Sequence, residues 1–270
     1  MISIAKPLIG EAEKKAVAEV LDSGMIANGA IVTQFENEFA AYLGAKYAVA
    51  TTSGTTALEV ALRSLGIGNG DKVLTTPFSF IASTNAILYA GAAPVFADIL
   101  PDAFTIDPDA VEAALRADPT IKALLIVHLF GQACDMDRIM ALVDRYKLIL
   151  IEDCAQAHGA AWNGKPVGTF GDAGCFSFYP TKNMTTGEGG MVVTNREDLR
   201  DTAKLLINHG MKIRYHHDII GYNYRMTNIA GAIGLCQLKR LPEFNARRRA
   251  NATELDRKST RLNSSHWLTS

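Results

Sequence analysis

Apolar residues along this chain fall into two alternating patterns. Glu11–Leu21 and Thr33–Leu43 carry them on one face at helical spacing, and Lys46–Thr51 follows as a short strand. A helix is expected from Gly54 to about Leu65, a strand over Lys72–Thr76 and a helix over Phe80–Ala90. The alternation continues with a strand at Pro94–Ile99, a helix at Pro108–Ala117, a strand at Lys122–His128, a helix at Asp135–Tyr146 and a strand at Leu148–Glu152. These strands are near-continuous apolar runs, as expected where helices cover both faces of a sheet. The pattern predicts an α/β fold with a mostly parallel sheet flanked by helices. Beyond Glu152 the regime changes. Gly174–Phe178 and Gly190–Thr194 read as strands joined by a Gly-rich turn without a crossover helix, which predicts a hairpin or an antiparallel edge in a mixed sheet. Helices follow at Arg196–Ile207 and Thr227–Leu241, the second with a small-residue face of Ala230, Gly231, Ala232 and Gly234.

Composition narrows the class. The 270 residues are 48% hydrophobic and 20% charged, enough apolar material for a sizeable core. Lys and Arg number 27 against 28 Asp and Glu, so no basic surface points to nucleic acid or an anionic membrane. Apolar runs such as Ala123–Val127 and Leu148–Ile151 are too short to span a bilayer. The start, Met1 to Lys6, lacks the basic segment and long apolar stretch of a signal peptide, so a soluble, cytoplasmic protein is expected. Cys134, Cys154, Cys175 and Cys236 form no C-x-x-C pair and read as buried free thiols. Arg257–Ser270 has no acidic residue, six Ser or Thr and no apolar periodicity. It resembles translated adapter read-through, so 257–270 is expected to be a non-native tail.

Three motifs carry chemistry. Thr52-Ser53-Gly54-Thr55-Thr56 lies between a strand and a helix, where free first-turn N–H groups attract a phosphate. Glu152-Asp153-Cys154-Ala155-Gln156 ends an apolar strand, where ligands bind in open α/β sheets. Adjacent strand residues point to opposite sides, so at most one of the two carboxylates faces a given site. Ser177-Phe178-Tyr179-Pro180-Thr181-Lys182 precedes Gly187-Glu188-Gly189-Gly190 and sets a lysine between an apolar strand and a Gly-rich turn. Desolvation there lowers an amine's pKa and frees it as a nucleophile. An amine for a Schiff base, a carboxylate for a pyridine nitrogen and a phosphate cradle suit pyridoxal 5′-phosphate.

In the order and spacing of these motifs the sequence resembles the DegT/DnrJ/EryC1/StrS family of sugar aminotransferases, a branch of the fold type I pyridoxal-phosphate enzymes. The resemblance covers Pro7 to about Asp256. It implies a pyridoxal-phosphate-binding large domain over 1–240, the start of a C-terminal small domain over 241–256, and a small domain otherwise largely missing. It implies Lys182 as the Schiff-base lysine that also moves the proton, and Asp153 as partner of the pyridinium nitrogen. Gln156 would contact the ring's phenolic oxygen, and Phe80 its face. Gly54 and Thr55 N–H groups with the Ser177 hydroxyl would hold the phosphate, and Asn228 would reach it from a second subunit. The implied activity is transfer of an amino group, with glutamate as the implied donor, to a nucleotide-linked keto sugar for amino-sugar, surface polysaccharide or antibiotic sugar biosynthesis. The implied assembly is a homodimer with shared active sites.

Several readings stay open at this level. Phe80 is either a ring-stacking group or plain core at helical spacing with Leu88. Asn228 is either a partner-site ligand or a helix-terminal residue satisfying its own backbone. His128 either lines the site or is a hydrogen-bonded structural histidine, and His158 reads as structural. His216-His217-Asp218 offers no clear metal-ligand set, and no metal is expected. Gly66-Ile67-Gly68-Asn69-Gly70 is a turn, since no helix follows it as a dinucleotide fingerprint requires. Two alternatives to amination remain. Some sugar dehydratases of the family carry His at the Schiff-base position, where this chain has Lys182. A non-catalytic regulatory relative is the other, without a helix-turn-helix signal or basic stripe in its favour.

Overall fold

A computed structural model describes residues 6–266, with side chains described through residue 258. The expectations about the Met1 start and about 267–270 lie outside the described residues. The chain opens with helices α1 (Glu11–Ser23) and α2 (Ala30–Leu43). Helix α2 buries Val32, Phe35, Phe39, Ala40 and Leu43, a three-and-four spacing that makes one apolar face. Both helices stop at a left-handed glycine, Gly24 and Gly44. Then come β1 (Tyr47–Thr51), α3 (Gly54–Ser64), β2 (Lys72–Thr75), α4 (Ala82–Ala90), β3 (Ala93–Phe96), α5 (Pro108–Ala117), β4 (Ile121–Val127), α6 (Met136–Tyr146) and β5 (Ile149–Asp153). Each lies within a few residues of its sequence expectation.

A small hairpin, β6 (Ala161–Trp162) with β7 (Lys165–Pro166), was not expected. Its turn residues Asn163 and Gly164 have φ of 49° and 82°, the left-handed pair that an Asn-Gly hairpin turn requires. Strands β8 (Ala173–Ser177) and β9 (Gly190–Thr194) pair antiparallel and are followed by α7 (Glu197–Ile207). An exposed ribbon, β10 (Met211–Ile213) with β11 (His216–His217), precedes α8 (Asn228–His266).

Seven strands form one sheet in the order β1-β9-β8-β5-β4-β2-β3. Strands β3, β2, β4, β5 and β8 run parallel, and β9 alone runs against its neighbours β8 and β1. The hairpin expectation holds, but β9 is not an edge. Strand β1 covers it, which lets the all-buried β9 pair on both sides while β1 takes the edge.

Strand side chains alternate between two apolar layers. Ala123, Leu125 and Val127 of β4 pack with α3, α4 and α7 on one face. Leu124 and Ile126 pack with α5 and α6 on the other. Beside them Phe176, Met191 and Val193 meet α2 and α8. Cys134, Cys154 and Cys175 are buried free thiols, whereas Cys236 is half-buried. No described helix is long and apolar enough to cross a membrane.

Helix α8 departs most from expectation. It runs through Pro242 to His266, past the expected end at Leu241 and across the 240/241 division. Proline removes one helical hydrogen bond, a local cost that the flanking turns survive here. Arg240 and Gln237 tie the first half to Glu13 of α1, at 2.9 and 2.7 Å. From Ala246 to Lys258 every residue is exposed. The backbone of 257–266 continues this helix.

Glu152 is the buried tie behind the central strands. Its carboxylate accepts the N–H groups of Gly168, Phe170 and Gly171 at 2.7–2.8 Å and sits 3.0 Å from His128 Nε2. His128 Nδ1 accepts the Cys134 N–H, so the ring proton is assigned to Nε2 and donated to Glu152. His128 is therefore structural. Glu152→Gln turns an amide N–H₂ against those donors. It is expected to lower the unfolding free energy by about 3–5 kcal/mol, measured by urea denaturation with both variants at one pH.

Candidate active site

The parallel strands deliver their C-terminal ends to one edge of the sheet, and β9 begins there. A cavity of about 510 Å³ opens at that edge. It is lined by Ser53, Gly54 and Thr55 after β1, Ser79 and Phe80 after β2, Asp153 at the end of β5, Ser177 at the end of β8, and Gln156, Tyr179, Lys182 and Glu188 from the following loops. This is the crevice beyond the carboxyl ends of strands where open α/β sheets bind ligands.

Its floor is the start of α3. Ser53 caps the helix, accepting the Thr56 N–H at 3.2 Å, and leaves the N–H groups of Gly54 and Thr55 as first-turn donors. Gly54 is required by proximity: a Cβ there would stand 2.6 Å from Ser177 Cβ. The contact places the buried Ser177 hydroxyl beside those N–H groups. N–H donors, a hydroxyl and a helix N-terminus make a nest for a phosphate.

Asp153 is 5% exposed. Its Oδ1 accepts the Ala155 N–H at 3.0 Å and its Oδ2 accepts Ser83 Oγ–H at 2.8 Å. Burial raises its pKa, while these two hydrogen bonds and then Lys182 pull it back down. Lys182 is half-buried, and burial lowers its pKa against the opposite pull of Asp153. Asp153 and its neighbour Glu152 do point apart: one faces the cavity and the other the buried tie. Gln156 Oε1 accepts the Phe130 N–H at 2.9 Å, which leaves its N–H₂ as the free, donating end. That contact holds Phe130 at φ 56°, a left-handed conformation uncommon for an aromatic residue.

Seven of the eight expected site residues line this one cavity. Phe80 is 72% exposed and precedes α4, whose helix begins at Ala82, so its core reading falls. Asn228 is the eighth and does not line it. It opens α8, is 3% exposed, donates from Nδ2 to Met25 O at 2.7 Å and accepts the Val32 N–H at 3.2 Å. Within one chain it serves its surrounding backbone. Sequence reasoning missed Ser83, Ser79, Tyr179 and Glu188. Ser79 in the bend before α4 and Ser83 in the first turn of α4 stand 3.0 Å apart at Oγ and carry no motif. Glu188 was visible only as part of the Gly-rich turn.

His158 is buried against the edges of Phe176 and Phe178, with ring centroids 5.4 and 5.8 Å away. Burial, and next the charge of Lys182, push its pKa down to about 3. The folded ring thus stays neutral while an unfolded histidine takes up a proton below about pH 6.5. Stability is therefore lost as pH falls from about 6.5 toward 3, since the unfolded state then binds the extra proton. His158→Gln removes this loss. Its stability deficit against wild type is expected to narrow by up to about 1.4 kcal/mol per pH unit over that window, read from denaturant midpoints between pH 7 and pH 4.

Similarity to known proteins points to one family. The model of the DegT/DnrJ/EryC1/StrS aminotransferase family matches residues 7–267. The chain is 44% identical over 264 residues to GDP-perosamine synthase of Caulobacter vibrioides, covering 97% of this chain and 71% of that one. It is 42% identical over 240 residues to dTDP-3-amino-3,4,6-trideoxy-alpha-D-glucose transaminase of Streptomyces venezuelae, covering 88% and 63%. The crystal structure of an aminotransferase from Psychrobacter cryohalolentis superposes with a TM-score of 0.89 at 42% identity, over 94% of this chain and 67% of that one.

Proposed function

The chain belongs to the DegT/DnrJ/EryC1/StrS aminotransferase family, and we propose that it moves an amino group from an amino acid to a nucleotide-linked keto sugar, using pyridoxal 5′-phosphate. The observation that carries this reading is one cavity lined by an amine, a carboxyl group and a phosphate nest: Lys182, Asp153, and Gly54–Thr55 with Ser177. Relatives named for GDP-perosamine synthesis and for a dTDP-amino sugar support the nucleotide-sugar class. Lys182 at the position that distinguishes aminating members supports amination over dehydration. Glutamate as donor, and amino-sugar or surface polysaccharide synthesis as setting, belong to the same proposal.

The residues fit the cofactor. The α3 N-terminus and Ser177 would hold its phosphate, Asp153 its ring nitrogen, the Gln156 N–H₂ its phenolic oxygen, and Phe80 one ring face. Bound there, pyridoxal 5′-phosphate supplies an electron sink for charge developing on the substrate carbon. Burial of Lys182 favours the neutral amine needed for attack and for taking a proton from that carbon. A cationic ring nitrogen beside Asp153 favours the carboxylate, against the burial that otherwise raises its pKa. Ser83 and the Ala155 N–H hold that carboxylate in place.

A second copy completes the site in this reading. Asn228 of one subunit would reach the phosphate of the other by turning out from the position, 3% exposed, that it takes in the single chain, its Nδ2 keeping one hydrogen beyond the bond to Met25 O. The residues after Arg240 begin a smaller C-terminal domain, and the exposed stretch from Ala246 to Lys258 supports that reading.

Lys182→Ala is expected to abolish the visible absorption band that pyridoxal 5′-phosphate acquires on binding the wild-type chain. It is also expected to lower turnover of a keto nucleotide sugar with glutamate by at least about 10²–10⁴-fold. Wild-type kinetics should follow a ping-pong pattern. A retained band in the variant overturns the assignment of Lys182.

A further inference from the structure

Two hydroxyl groups run in line from the cavity wall to the buried carboxyl group of Asp153. Ser83 Oγ stands 2.8 Å from Asp153 Oδ2, and Ser79 Oγ stands 3.0 Å from Ser83 Oγ. Ser83 is 1% exposed, so water does not compete for its two bonds. Ser79 is half-buried, and it lines the cavity with Ser83 and Asp153.

The single proton of each hydroxyl fixes the direction of the pair. A serine hydroxyl donates one hydrogen and accepts on its lone pairs. Asp153 Oδ1 already accepts the Ala155 N–H. With the carboxyl group ionised, Oδ2 accepts the Ser83 proton, so the bond between the serines is donated by Ser79. The order is Ser79 to Ser83 to Asp153, and each bond in such a chain polarises the next. Hydrogen bonds donated to a carboxylate favour the ionised form. Ser83 is also the second residue of α4, whose positive dipole end favours a nearby anion.

The titratable groups around Asp153 offer less. Glu188 lines the same cavity and repels a second carboxylate. His128 at the end of β4 turns its ring to Glu152. Burial, and next the neighbouring carboxylates, push the Cys154 and Cys175 thiols up, so both stay neutral. Lys182 pulls toward the carboxylate, but burial disfavours its charge. The hydroxyl pair carries no charge to lose, and its pull persists when Lys182 is neutral.

We propose that Ser79 and Ser83 are positioning residues, a polarised hydroxyl chain that keeps the buried Asp153 ionised while Lys182 is neutral. The proposal rests on the aminotransferase reading for its purpose, a ready carboxylate for a cationic ring nitrogen, and on the cofactor-free chain for its test.

The test is a pH titration of the aspartate carboxyl carbons by ¹³C NMR in the full chain without cofactor. The Asp153 signal is identified by its loss in Asp153→Asn. Ser83→Ala is expected to move the Asp153 midpoint up by about one pH unit or more, and Ser83→Thr, which keeps the hydroxyl, to restore it. Ser79→Ala reaches the carboxyl group only through Ser83 and is expected to raise the midpoint by a smaller step. A Ser83 that merely fills space leaves Ser79→Ala at the wild-type midpoint. Ser79 lies in the bend before α4, and an unchanged thermal midpoint shows that its variant is folded, so Ser79→Ala decides alone if Ser83→Ala does not fold. An unchanged or lowered midpoint in either alanine variant, or a midpoint in Ser83→Thr as high as in Ser83→Ala, overturns the proposal. Raised midpoints in a chain that shows no visible band with pyridoxal 5′-phosphate uphold the hydroxyl chain and count against the aminotransferase reading.

Discussion

A carboxyl group buried at the end of a central strand is costly unless its surroundings hold and compensate it, and this fold is built around one. Asp153 is withdrawn from water by β4 and β8 on either side of β5. It is held by one hydroxyl and one N–H, and it shares its cavity with an amine whose own charge is disfavoured. Each of the two groups moderates the other, and neither is fully satisfied by the chain alone. A cationic ring between them would supply what the protein withholds. Compensation at Asp153 is thus incomplete, while Glu152, one residue earlier, is saturated with donors and only structural.

Close approach of backbone completes the site. Small residues let strand ends and the α3 turn come together where side chains would hold them apart. Gly54 against Ser177 is one such place. Gly190 is the other: a Cβ there would stand 2.2 Å from Ser53 O. The antiparallel β9 therefore lies directly under the loop that ends in the phosphate nest. Reversing this strand also turns the chain from Lys182 back into the sheet without a crossover helix, so the lysine stays at the edge where the parallel strands deliver the acid.

Helix α8 couples this edge to the rest of the chain. Its first half is packed on α1 and α2, and Arg248 further along grips the backbone of the lysine loop. The position of the amine therefore depends on a helix whose outer half is exposed and whose interior tolerates Pro242. The same helix brings Arg247 and Arg248 to a separate, smaller cavity that shares Lys182 with the site. Asp153 and Glu188 line the larger cavity, and Lys6, Arg247 and Arg248 line the smaller one.

Sequence alone determined the alternation of strands and helices, because apolar periodicity reports which faces are buried whatever the neighbours are. It also brought forward the residues from Gly54 to Lys182 that line one cavity, since glycine, acid and lysine at strand ends keep their character along the chain, and it separated Glu152 from Asp153 by the two-residue period of a strand. Tertiary structure alone decided the rest. Strand order put β1 outside β9, because pairing partners far apart in the chain leave no local signal. Packing chose between the open readings of His128 and Phe80, burying one in a hydrogen-bonded tie and leaving the other exposed at the cavity. Ser83 found Asp153 across seventy positions, and Arg248 came to the Lys182 backbone only through the run of α8. Those are distances in space between residues with no relation in sequence, and only the folded chain sets them.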